Sequence, residues 1–138
     1  MTDISVGAVR AAEEATIHAF IRPDRRERWL NALDSPSRRK KTVRLFVTRD
    51  FDERWAQALT GADNDREAVR TLLRSLGAPD DCLLMEELPE PTKALSLDAA
   101  LRAVFDEGQW GSLIICVPGR LAYQKLEESL GGVLFQRG

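Results

Sequence analysis

Glu14 and His18 stand four residues apart in an alanine-rich stretch, a spacing that sets a carboxylate beside an imidazole on one helical face. An acid–base pair or the beginning of a metal site has that form. His18 is the only histidine, so multi-histidine metal sites and catalytic schemes with two imidazoles are excluded within one chain. Asp63, Asp65 and Glu67 alternate as at the start of a calcium loop, but the glycine needed for its turn and a terminal glutamate at the required distance are missing. Capping of the following helix accounts for them better. Asp80, Asp81, Glu86, Glu87 and Glu90 surround a short apolar run. Strand alternation would send their side chains to opposite faces, which fits an acidic edge that discourages aggregation better than a metal site.

Cys82 and Cys116 each lie within aliphatic residues, with no local base to activate a thiolate. They read as reduced thiols packed in a core; a disulfide would require their strands to be adjacent, and the spacing does not ask for one. The chain contains no glycine-rich dinucleotide loop, no phosphate-binding loop with its lysine and no G-x-S-x-G nucleophile elbow. No catalytic set, no metal site and no cofactor is therefore expected. At the turn Pro118-Gly119, Arg120 could meet an anionic ligand while Tyr123 donates a hydrogen bond, an enzyme or small-ligand reading that competes with a plain hairpin.

Charge provides the stronger signal. The formal net charge is −2, yet the segment from Arg22 to Arg49 carries ten basic residues against three acidic ones, a net of +7, and the rest of the chain carries −9. Such a cluster steers an acidic partner even when the whole molecule is nearly neutral. The candidate contacts are Arg25, Arg26, Arg38, Arg39, Lys40, Lys41 and Arg44. An acidic protein surface is the leading partner, and nucleic acid is the alternative, with Trp29 as a stacking surface if it is exposed. The competing expectation is that acids of the later half lie across the basic helices and neutralise them in surface ion pairs, with Trp29 and Trp55 in the core.

The elements that would position these residues fit one domain, 1–138, with a helical subregion 1–60 and an α/β subregion 61–138. Alanines between Val6 and Ile21 predict a first helix, broken at Arg22-Pro23. A short second helix presents Trp29, Leu30 and Leu33 on one stripe. Ser35-Pro36 starts another, whose apolar positions Val43, Phe46 and Val47, continued by Phe51, Trp55, Ala58 and Leu59, recur at helical intervals. Ala68 to Leu76 forms an amphipathic helix ended by Gly77, and Ser96 caps one containing Leu97, Leu101 and Val104. Strands are expected at Cys82–Leu88, at the continuously apolar Leu113–Val117, at Arg120–Gln124 and near Val133–Gln136. The fold class is α+β, N-terminal helices packed with a mixed or antiparallel sheet of three to four strands. No apolar run approaches the roughly 20 residues needed to cross a bilayer, and the N-terminus does not read as a signal, so a soluble cytoplasmic protein without membrane contact is expected.

Overall fold

The computed structural model describes residues 6–33, 50–85, 92–108, 111–126 and 131–137. Its centre is the strand β4 (Leu113–Val117), whose first four residues are buried because both faces are covered. Pro118 and Gly119 turn the chain back into β5 (Leu121–Lys125), with Gly119 at a positive φ of 77°. Pairing slips between Ile115 and Val117, a bulge in β4 near the turn. The chain then adds β6 (Gly132–Gln136) beside β5.

Three further strands complete the sheet: β1 (Ala56–Leu59), β2 (Asp81–Met85) and β3 (Lys93–Ser96). The order is β1-β6-β5-β4-β2-β3, with every neighbouring pair antiparallel. The expected three to four strands are thus corrected to six among the described residues, while the α+β class stands. Two short edge strands make the difference. Lys93–Ser96 lies between a proline-rich stretch and a helix cap and has no recognisable strand pattern of its own. It forms because the outer edge of β2 offers backbone partners, as in Cys82↔Leu95. The expected continuation of a helix through Phe51–Leu59 is likewise corrected. Glu53–Trp55 is a short 3-10 turn, and Ala56–Leu59 pairs with β6. A four-residue repeat of apolar side chains is shared by helical and extended chains, and here the free edge of β6 decided between them.

Helices cover both faces. The helices α1 (Val6–Phe20) and α2 (Arg26–Ala32) place Ile17, Phe20, Ile21 and Trp29 against Leu83, Leu113, Ile115 and Phe135. On the opposite face, α3 (Arg66–Ser75) and α4 (Leu97–Phe105) set Val69, Leu73, Leu101 and Val104 against Leu84, Ile114, Tyr123 and Leu134. Alternation along β4 sends Ile115 to the first core and Ile114 to the second. The caps follow the sequence: Asp65 accepts from the Ala68 amide and Ser96 from the Ala99 amide. The helix start at Ser35-Pro36, the apolar positions Val43, Phe46 and Val47, and the end of the expected Cys82–Leu88 strand lie outside the described residues.

Candidate functional site

Proline at position 23 holds Arg22 extended, with φ −56° and ψ 141°. The residues just after α1 therefore leave the helix as a short extended segment, and Ile21 bridges Phe51 in antiparallel fashion. Two backbone bonds fix the contact, Arg22 N–H to the Asp50 carbonyl at 2.8 Å and Asp52 N–H to the Phe20 carbonyl at 2.7 Å. Ile21 and Phe51 face the first core. The residues flanking Phe51 are both carboxylates, and both are buried, Asp50 at 5% exposure and Asp52 at 7%.

Arginines close over this carboxylate pair. Asp50 accepts the indole N–H of Trp29 at 2.7 Å, and its other oxygen faces Arg22 at 4.0 Å and Arg25 at 3.8 Å. Those two ion-pair distances are beyond hydrogen-bond reach. The Nε atoms of Arg22 and Arg25 are buried and have no hydrogen-bond partner among the described residues, although both side chains are 42% exposed. Asp24 lies 3.7 Å from the first and 3.8 Å from the second, again too far to accept a bond. Asp52 is gripped by Arg54, which donates from Nε at 3.0 Å and from Nη2 at 2.7 Å. Arg54 and Arg137 both lie over the Trp55 ring, at 5.5 and 4.7 Å from its centroid. Arg137 also donates to the Ala19 carbonyl, and Arg26 to that of Ile21. Five arginines thus gather where α1, α2 and the returning chain meet.

The Arg54 guanidinium holds the Asp52 carboxyl below the usual carboxylate range, its side-chain bond outweighing the opposing effect of burial. A depressed folded-state value means that Asp52 adds stability above its unfolded value, near 3.8, and loses it as pH falls through the lower folded value. Asp52→Asn is therefore expected to flatten the acid limb of a stability–pH profile below about pH 4, with little change in its slope at neutral pH. Thermal midpoints of both proteins across that range provide the check; superimposable acid limbs would contradict it.

Three acids of the later half, Asp80, Asp98 and Asp106, pair with arginines of α3. Arg66, Arg70 and Arg74 recur at four-residue intervals along α3 and meet Asp106, Asp98 and Asp80 respectively. These pairs lie along α3 and α4, whose apolar residues pack on the sheet face opposite α1 and α2. Arg66, Glu67, Arg70, Asp98, Leu101 and Arg102 also line a shallow groove of about 250 Å³ there, with charges of both signs. Among the described residues, the only carboxylates recorded within ion-pair range of Arg22 and Arg25 are Asp24 and Asp50.

The other candidates from the sequence are dispersed. Glu14 pairs with Arg10 at 3.1 Å, and His18 is exposed at the end of α1. Among the described residues no three His, Cys, Asp or Glu side chains gather around a metal-sized point. Arg120 is on the exposed β4–β5 turn, whereas Tyr123 is fully buried and donates its hydroxyl to Asn64 inside the second core. Burial pushes that phenol well above its ordinary range. Trp29 is 1% exposed, so its ring is not offered for stacking. Arg25 and Arg26 are half-buried in the cluster; Arg38, Arg39, Lys40, Lys41 and Arg44 lie outside the described residues.

Sequence reasoning did not pick out Asp50, Asp52, Arg54, Trp55 or Arg137. Asp50 and Asp52 flanking Phe51 was the available signal, two acids on one side of an extended apolar residue at the end of a basic run. Arg137 is remote in sequence and joins through the β5–β6 pairing that brings its amide to the Arg120 carbonyl. Comparison with protein-family models, with curated proteins and with solved structures gives no match.

Proposed function

We propose that the protein is a nonenzymatic interaction or regulatory protein of the cytoplasm, and that it binds an acidic protein surface through Arg25, Arg26, Arg38, Arg39, Lys40, Lys41 and Arg44. The observation that carries this reading is the separation of charge. Asp80, Asp98 and Asp106 engage α3 arginines and are not among the recorded partners of Arg22 and Arg25. Of the two carboxylates near Arg22 and Arg25, Asp24 is exposed and stands beyond hydrogen-bond reach, and Asp50 is drawn inward to Trp29. Residues 34–49 add six basic side chains against one acidic one, and both flanks of that segment, Leu33 and Asp50, adjoin Trp29. A basic run rooted beside a cluster of arginines raises the local positive potential and favours a carboxylate-rich partner. Among the described residues no helix is long and apolar enough to cross a membrane.

The test is fluorescence anisotropy with a labelled polyglutamate peptide and with single- and double-stranded oligonucleotides, comparing the native chain with R38E/R39E/K40E/K41E. The peptide should bind at low salt, lose affinity as salt rises, and bind the folded variant roughly tenfold to a hundredfold more weakly. Absence of peptide binding at low salt contradicts the proposal. Tighter binding to oligonucleotide than to peptide transfers the surface to a nucleic-acid partner.

A further inference from the structure

We propose that Cys82 and Cys116 form a modification site, a buried dithiol that a small disulfide such as glutathione disulfide oxidises to a cross-strand disulfide joining β2 to β4. The two residues are 34 positions apart in the chain, but the strands that carry them are neighbours in the sheet. The register runs Met85↔Leu113, Leu84↔Ile114 and Leu83↔Ile115, so the next position sets Cys82 opposite Cys116. Both side chains belong to the core beneath α3 and α4, as alternation requires. Both thiols are free.

Opposed residues on antiparallel strands have Cβ atoms about 4.5 to 5.5 Å apart, and a disulfide brings them to about 3.5 to 4.5 Å. Closure thus needs only a small movement. The site has the means for it, because the pair lies one position beyond the last rung of the β2–β4 ladder and Cys116 sits in the bulge between Ile115 and Val117. Asp81 beside Cys82 and Pro118 two residues past Cys116 are exposed, and Val117 between Cys116 and Pro118 is half-buried, so opening that end of the ladder reaches the sulfurs without unfolding the sheet.

The exchange balances without another reagent. One cysteine thiolate attacks a sulfur of glutathione disulfide, breaking its S–S bond and releasing one glutathione thiolate. The second cysteine thiolate attacks the protein sulfur of that mixed disulfide and releases the second glutathione. Two electrons pass from the dithiol to the oxidant, and the two cysteine protons end on the two glutathione thiols. Burial pushes the Cys82 thiol up to about 12 and raises Cys116 as well, so the reacting species is the thiolate of an opened state. Exchange is accordingly slow in the closed fold and accelerates with rising pH and with urea below the unfolding transition.

The experiment incubates the folded chain with glutathione disulfide at mildly alkaline pH and sub-denaturing urea, quenches with acid, and alkylates the remaining thiols after unfolding. Peptide mapping without reduction should show both thiols lost together, a linked pair of peptides carrying Cys82 and Cys116, and a monomer whose urea midpoint rises and returns on reduction. Cys82→Ser should retain glutathione on Cys116 as a stable mixed disulfide, because no second thiol resolves it. Persistence of two alkylatable thiols, a lasting glutathione adduct on the native chain, or links between two chains would each overturn the proposal.

Discussion

Asp50→Ala should destabilise the folded chain by about 3 kcal/mol, seen as a fall of roughly 10 °C in the thermal midpoint. The substitution removes a buried carboxylate that accepts the Trp29 indole N–H at 2.7 Å and leaves that donor facing a cavity beside Ile21 and Phe51. The ion pairs with Arg22 and Arg25 contribute a minor share, since both guanidinium groups reach solvent and their separations are near 4 Å. Asp50→Asn keeps an acceptor for the indole and should cost less, about 1 to 2 kcal/mol. Urea titration of both variants separates the contributions; an Asp50→Ala loss under about 0.5 kcal/mol would refute the assignment of Asp50 as the anchor of this region. The same substitutions bear on binding. Asp50 is the buried one of two internal competitors for Arg22 and Arg25, so folded Asp50→Asn should bind the polyglutamate peptide several-fold more tightly, a gain in function set against a loss of stability.

Gly131→Ala should cost about 3 kcal/mol or more, through a different physical route. Gly131 has a φ of +80°, and its α-carbon lies so close to β1 that an added methyl would run into the Leu59 carbonyl oxygen. That oxygen belongs to backbone and has no rotamer through which to retreat. The strain must therefore be relieved by pulling β1 away from β6, undoing a pairing that begins at Leu59↔Gly132. Gly132→Ala is the instructive comparison, since its methyl would meet the Tyr123 hydroxyl and the Asn64 amide oxygen, which are side-chain atoms. Its cost should come mainly from the lost Tyr123–Asn64 hydrogen bond, about 1 to 3 kcal/mol. Hydrogen exchange distinguishes them: Gly131→Ala should release the β1 amides well before the rest of the sheet. Retained protection in β1 at native stability would contradict the steric account.

Much of this architecture is legible along the chain where a local rule has no strong competitor. Asp65 and Ser96 cap the helices they precede, and the amides of Gly77 and Ala78 close α3 by bonding to Arg74 and Leu73. Pro118-Gly119 turns β4 into β5, and the unbroken run Leu113 to Cys116 is buried on both faces. The edge strands were not legible. Ala56–Leu59 and Lys93–Ser96 have four residues each and no strong alternation, and they exist because β6 and β2 present open edges to them. The candidate site was legible only as charge. The positive segment stands out in the composition, while Arg54, Trp55 and Arg137 join it through contacts between distant parts of the chain.

Glu14 and His18, the chemistry with which the sequence opens, end on a surface helix, with Glu14 bound to Arg10 and no metal-sized cluster around them among the described residues. By itself the sequence determined the helix caps, the central hairpin and the lopsided charge. All of these follow from residue type and near-neighbour spacing, which act over one turn or one strand. Only the tertiary structure decided that the sheet has six strands among the described residues, that Asp50 meets Trp29 across 21 positions, that Asp80, Asp98 and Asp106 engage α3, and that Cys82 and Cys116 lie on neighbouring strands. Those outcomes depend on strand order and on which buried polar groups can find partners, and the whole chain settles both together.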